Sequence, residues 1–227
     1  PTSLTIGINP PEIIKERVEI IISNPEVKAL KIKLGSPDGI EYDKLIYSQV
    51  LDSTKNSDIS IRVDANGGWS LEEAKIMMKW LAERKAEYIE QPLVEGDEDK
   101  LKYLFEGRPR PIFIDESCRF SEDVSRHYHY VDGVNLKLMK CGGITEAIKI
   151  LNVAKSHNLK TMIGCMSESS VSISAGASIS GIIDYVDLDS HYNLDPDPSE
   201  GCSMVNGVTM SNNKPGHGSK LKTENYA

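Results

Sequence analysis

The segment Ile59–Leu81, ISIRVDANGGWSLEEAKIMMKWL, changes character halfway along. Ile59–Val63 is a short apolar, β-branched run and reads as a strand. Asp64-Ala65-Asn66-Gly67-Gly68 then ends it, with Asn66-Gly67-Gly68 as a turn rather than a phosphate loop. Ser70 stands three residues before Glu73, a capping box that starts a helix. Leu71–Leu81 carries Met and Trp at helical spacing, the pattern of a helix packed on a core. One strand, one loop ending in charge and one capped helix form a β/α unit.

The same unit recurs in both directions. Strands are expected at Thr2–Ile8, Ala29–Leu34, Tyr88–Ile89, Ile112–Ile114, Gly133–Leu138, Lys160–Gly164 and Tyr185–Leu188. Pro10-Pro11-Glu12 starts a helix reaching about Ser23, with Ile13, Ile14, Val18 and Ile21 on one face. Another helix is expected from about Thr145 to His157. Glu95–Lys102 reads as a solvated loop and helix start. Strands alternating with helices make a parallel sheet, and eight strands in this length make a closed barrel, an α/β fold of the (β/α)7β TIM-like kind. An open doubly wound sheet is the alternative, but no GxGxxG opens a helix. Residues 1–190 are read as the barrel domain. After Asp189 periodicity is lost, and 191–227, rich in Asp, Pro, Gly, Ser and Asn, are read as an irregular segment packed on the barrel or on a capping domain.

Composition narrows the function. With 227 residues the chain can bury a sizeable core, and its net charge of −8 argues against nucleic-acid or anionic-membrane partners. No apolar run is long enough to span a bilayer. Cys118, Cys141, Cys165 and Cys202 form no CxxC pair and read as reduced thiols of a cytoplasmic protein. His127 and His129 read as surface residues.

Barrels place their chemistry at the C-terminal ends of the strands. There the sequence has Lys31 and Lys33, then Asp64, Glu90, Asp115, Lys137, and finally Asp187 and Asp189. Glu90 follows Asp64 by 26 residues and Asp115 follows Glu90 by 25, one β/α unit each. Three convergent carboxylates repel unless a cation joins them, and hard oxygen ligands suit Mg²⁺. Strands two and six lie opposite each other, so Lys33 and Lys137 face across the mouth, with Lys31 on the same face as Lys33. Asp187 and Asp189 put negative charge opposite the metal ligands, a polarity that fits a substrate with a carboxylate at one end and an ammonium at the other; an N-cap or loop acid pair is the plainer reading.

Lys31-Ile32-Lys33, Asp64-Ala65-Asn66, Glu90-Gln91-Pro92, Asp115-Glu116-Ser117 and Lys137–Gly143, in this order, resemble the muconate-lactonizing subgroup of the enolase superfamily over residues 1 to 190. The mandelate racemase subgroup is expected to present a His where this chain has Gly164-Cys165-Met166. Thr2-Ser3, Gly164-Cys165-Met166 and Asp187-Leu188-Asp189 look most like dipeptide epimerases, which are isomerases. The resemblance implies that Asp64, Glu90 and Asp115 bind Mg²⁺. It makes Lys33 and Lys137 the acid/base pair working through an enediolate, and has Lys31 neutralise the bound carboxylate. Asp187 and Asp189 then hold the dipeptide's ammonium, with Thr2 and Cys165 near the substrate. It also implies an N-terminal α+β capping domain, absent from this sequence, and a homo-oligomer. A PGLG-like tail segment reads here Pro215-Gly216-His217-Gly218. A cycloisomerase, an o-succinylbenzoate synthase or an N-acylamino acid racemase on the same scaffold is the alternative. A non-catalytic metal-binding barrel is the alternative of another class.

Overall fold

A computed structural model describes residues 1–222. Eight strands follow one another in a single parallel sheet: β1 (Ser3–Ile6), β2 (Ala29–Lys33), β3 (Ser60–Asp64), β4 (Ala86–Glu90), β5 (Ile112–Ile114), β6 (Gly133–Lys137), β7 (Lys160–Gly164) and β8 (Tyr185–Val186). A parallel bridge between Thr2 and Val186 joins the first strand to the last, so the sheet closes on itself. The expected barrel is the observed one, and an open sheet is excluded.

Helices α1 (Pro11–Ile22), α2 (Ile40–Thr54), α3 (Leu71–Ala82), α4 (Leu101–Phe105), α5 (Ser121–His127), α6 (Leu138–Cys141), α7 (Ile144–Ser156) and α8 (Ser170–Ile179) connect the strands. The Ser70–Glu73 capping box forms in full at the start of α3, whose Met77 and Met78 are buried. On α1, Ile14 and Val18 are buried but Ile13 lies on the exposed side. A helix of this length buries a narrow stripe, and Ile14 and Val18 already occupy it. No helix among the described residues is long and apolar enough to cross a membrane.

Period two divides every strand between the helical layer and the barrel interior. Register fixes which residues turn inward: Thr5 pairs with Lys31, Lys33 with Asp64, Asp64 with Glu90, and Lys137 with Gly164. The lower interior is filled by Tyr88, Phe113, Met162 and Tyr185, an aromatic floor beneath the charged mouth. Tyr88 lies 4.7 Å from Phe113 and 5.2 Å from Tyr185, ring centre to ring centre.

Past Asp189 the chain runs back along the barrel wall. β9 (Ser199–Glu200) pairs with β12 (Lys220–Leu221), and β10 (Ser203–Val205) with β11 (Val208–Met210). The Cys202 amide donates to Ser174 Oγ on α8, and the Thr2 amide donates to the Gly207 carbonyl. Residues 223–227 of the expected C-terminal segment lie outside the described residues.

Candidate active site at the barrel mouth

Asp64, Glu90 and Asp115 end, or immediately follow, three neighbouring strands, and one oxygen from each lies within 4.8 Å of the others. All three are fully buried. The surroundings orient each carboxylate. Asp64 Oδ1 accepts the Asn66 amide at 2.9 Å. Asn135 Nδ2 donates to Glu90 Oε1 at 2.6 Å. Lys140 Nζ lies 2.5 Å from Asp115 Oδ1. Gln91 Oε1 accepts the Asp115 amide at 2.8 Å, and its Nε2 donates to Ser117 Oγ and the Leu93 carbonyl. Gln91 thereby ties the loop after β4 to the loop after β5.

Glu90 Oε2 is buried without a hydrogen-bond partner among the described residues. Burial, then Asp64 and Asp115, push the Glu90 carboxyl up to about 8 against the pull of Lys31. Asp115 goes the other way: burial opposes its charge, but Lys140 and Lys137 outweigh it and hold the carboxyl well below the usual range. An orphaned carboxylate oxygen among three converging acids is a donor set short of a cation, and a hard divalent ion fits it.

Three lysines reach these acids. Lys33 Nζ lies 2.5 Å from Asp64 Oδ2, and Lys137 Nζ 2.5 Å from Asp115 Oδ2. Lys31 sits deepest; it pairs with Asp187 and stands 3.6 Å from both Asp64 Oδ2 and Glu90 Oε2. Burial pulls the Lys31 ammonium down, but Asp187, Glu90 and Asp64 raise it well above its ordinary 10.5. Burial and Lys31 likewise work to lower Lys137, and Asp115 wins, so its net shift is upward. The lowering by the neighbouring Lys31 charge is present there but outweighed while Asp115 is paired with the lysine.

The mouth is a cavity of about 330 Å³ whose wall includes Thr5, Lys33, Lys137, Met166 and Asp189. A larger hollow of about 620 Å³, beside Ile59 and Arg110 at the opposite end of the barrel, holds none of the triad. Cys165 also faces the mouth; burial, Asp187 and Asp189 push its thiol up to about 12, so it stays a neutral donor to the Asp187 carbonyl. Thr2 is not brought to the mouth. It is 1% exposed, and its hydroxyl accepts the Leu188 amide. Thr5, three residues on, has the inward parity and stands in its place.

The two aspartates differ. Asp187 accepts from Ser3 Oγ at 2.7 Å through one oxygen and pairs with Lys31 through the other. Asp189 accepts the Thr5 amide at 2.7 Å through Oδ2, while among the described residues Oδ1 has only the Cys165 thiol, at 3.8 Å. Burial and the neighbouring Asp187 raise the Asp189 carboxyl. Asp189 therefore holds the accessible acceptor, and Asp187 holds charge beneath it. Lys140, Asn135 and Gln91 were missed as partners of the triad; the KxxK spacing of Lys137 and Lys140 at the start of α6 was the available signal.

Comparison with known proteins agrees with this geometry. The chain is 61% identical, over its full length, to a hydrophobic dipeptide epimerase of Flavobacteria bacterium (strain MS024-2A) and spans 65% of that protein. It is 58% identical over 97% of its length to a hydrophobic dipeptide epimerase of Roseobacter litoralis and spans 64% of it. The chain thus spans just under two thirds of these relatives. The dipeptide epimerase of Enterococcus faecalis V583, solved with Mg and the dipeptide L-Leu-L-Tyr, superposes with a TM-score of 0.89 at 32% identity. That match covers 96% of this chain and 63% of the other. The model of the enolase C-terminal domain-like family matches residues 14–225, and the chain belongs to that family.

Proposed function

We propose that this chain is the catalytic barrel of a Mg²⁺-dependent dipeptide epimerase, with residues 1–190 as the barrel domain and 191–227 as a segment packed on it or on a capping domain. The observation that carries the reading is the buried triad flanked by two lysines from opposite strands, with a free aspartate oxygen across the mouth. In this reading Asp64, Glu90 and Asp115 hold the ion. Mg²⁺, when bound, neutralises the substrate carboxylate and so makes the neighbouring α-hydrogen more acidic.

The rest belongs to the chain. Lys31, cationic and fixed, sits beside the bound carboxylate. Asp189 receives the substrate ammonium at Oδ1, and Asp187 adds negative charge below. Lys33 Nζ takes or returns the α-proton on one face and Lys137 Nζ on the other, so the centre inverts. Each lysine must be neutral to act as base. Asp115 raises Lys137 only while the two are paired, and that attraction weakens once Asp115 is engaged by a cation.

The names of the two relatives above, with Met166 half exposed at the mouth, support a dipeptide bearing hydrophobic side chains. Four free thiols fit a cytoplasmic location. The same reading takes the protein as a homo-oligomer.

The test is proton NMR of the protein with Mg²⁺ and a dipeptide library in D₂O. Loss of the C-terminal residue's α-proton signal and growth of the second diastereomer are expected. No exchange on any dipeptide would discard the reading in favour of N-acylamino acid or cycloisomerase substrates. No exchange on those either would leave a non-catalytic metal-binding barrel.

A further inference from the structure

Beneath the mouth, charges alternate along the barrel interior. Arg62, on β3 and facing inward, is 5% exposed. Its Nε donates to Glu87 Oε2 at 3.0 Å. Its Nη1 donates to Ser3 Oγ at 3.2 Å and to the Val186 carbonyl at 3.3 Å. The guanidinium carbon lies 5.1 Å from the Tyr185 ring centre, so the aromatic floor fixes it from the side. Ser3 donates in turn to Asp187 Oδ1, and Asp187 pairs with Lys31.

The direction of this chain is forced. Arginine has only donors, so Ser3 must accept from Arg62 and give its single hydroxyl proton to Asp187. Asp187, anchored from below, draws the Lys31 ammonium down. Lys31 then stands 3.6 Å from Asp64 Oδ2 and Glu90 Oε2, beyond hydrogen-bond distance, and Glu90 Oε2 has no hydrogen bond among the described residues.

We infer that Ser3 and Arg62 are positioning residues: through Asp187 they hold the Lys31 cation off Glu90 Oε2 and so keep that oxygen of the triad open to a metal ion. The inference rests on the proposed function for its catalytic consequence but not for its test. Without the Ser3 hydroxyl, Arg62 Nη1 loses an acceptor and Asp187 loses a donor, both buried. The two opposite charges then close on each other, and Lys31, released, pairs with Glu90 and Asp64 and competes with the ion.

The experiment is Mg²⁺ titration calorimetry on the metal-free protein, with wild type, Ser3→Ala and Ser3→Thr. Ser3→Ala is expected to weaken Mg²⁺ binding by about 10- to 100-fold, the usual effect of losing an outer partner of a metal site. Ser3→Thr, which keeps the hydroxyl, is expected to bind as wild type does. If Ser3→Ala fails to fold, Ser3→Cys keeps the shape, donates weakly and is expected to show the same loss. Unchanged affinity in Ser3→Ala or Ser3→Cys overturns the inference, and so does an equal loss in Ser3→Thr, which would point to packing alone. Dipeptide exchange by the wild type is measured alongside. Its absence would overturn the proposed function, while the calorimetry still decides the role of Ser3.

Discussion

Lys33 and Lys137 come from strands on opposite sides of the barrel, and each ends 2.5 Å from a different carboxylate of the same triad. The two lysines are thus spaced by the acids between them. A substrate carbon held over those acids has a lysine amine on each side. Under the proposed function this arrangement inverts the centre, because a neutral lysine on one face and a charged one on the other exchange roles with the direction of the reaction.

Removing either lysine should stop the interconversion. Lys33→Arg and Lys137→Arg keep the charge but cannot act as bases near neutral pH. Each is expected to lower kcat for epimerisation by about 10²–10⁴-fold, the usual worth of a positioned acid/base group. Mg²⁺ affinity by calorimetry should stay near that of the wild type. Retained turnover in Lys33→Arg would remove it from the base role.

The free oxygen of Asp189 makes a different prediction. Asp189→Asn keeps the shape and loses the charge that meets an ammonium. KM for free dipeptides is expected to rise about tenfold or more, the worth of a charged hydrogen bond. Rates on N-acetylated dipeptides, which lack the ammonium, should move little. Equal effects on both substrates would mean that Asp189 acts on the fold or the metal rather than on the substrate.

Much of this site was legible because barrel geometry converts sequence order into position. Ile112–Ile114 and Lys160–Gly164 match their strands residue for residue, since short β-branched runs between turn residues have few alternatives. The charges at strand ends followed from there. The misplacement of Thr2 has a physical cause: the run Thr2-Ser3-Leu4-Thr5 alternates, and which parity faces inward depends on pairing with the neighbouring strand. Only the register of Thr5 on Lys31 settles it. Helix α8 was illegible for another reason. Its sequence, SVSISAGASI, sets four serines, three β-branched residues and a glycine against two alanines, and has modest helical preference of its own. Close packing compensates. A Cβ on Gly176 would meet Ile163 and Leu188 at 3.2 Å, so the bare glycine lets the helix lie against the barrel.

Asp43 accounts for how the β2 and β3 loops stay in place, and it predicts a stability effect. It is fully buried on α2 and accepts three donors: the Gly35 amide at 3.0 Å, the Ser36 amide at 2.9 Å and Trp69 Nε1 at 2.7 Å. These belong to the loops after Lys33 and after Asp64, so one carboxylate clamps both. Asp43→Ala leaves three donors without an acceptor. It is expected to cost about 3 kcal/mol or more, as loss of a buried charged acceptor does, read by denaturant unfolding of the metal-free protein. A change below about 1 kcal/mol, the size of an ordinary surface substitution, would show that solvent replaces the carboxylate.

The pH dependence of metal binding follows from Glu90. Its carboxyl is raised from 4.5 to about 8 by burial, then by Asp64 and Asp115. In the metal-free protein it therefore carries a proton at neutral pH, whereas the unfolded chain has lost that proton above its ordinary value. The folded state binds more protons in this window, so the Glu90 contribution makes the metal-free fold less stable as pH rises from 4.5 towards 8. A cation reverses the balance, because binding needs the charged form and expels the proton. Mg²⁺ affinity is accordingly expected to rise about tenfold per pH unit between roughly 6 and 8, with one proton released, and to level off above that. Calorimetry in two buffers of different ionisation enthalpy counts the proton directly. Affinity that does not change across this range, with no proton released, would mean that Glu90 is already charged in the metal-free protein. Lys31 would then outweigh the two neighbouring acids at Glu90 Oε2.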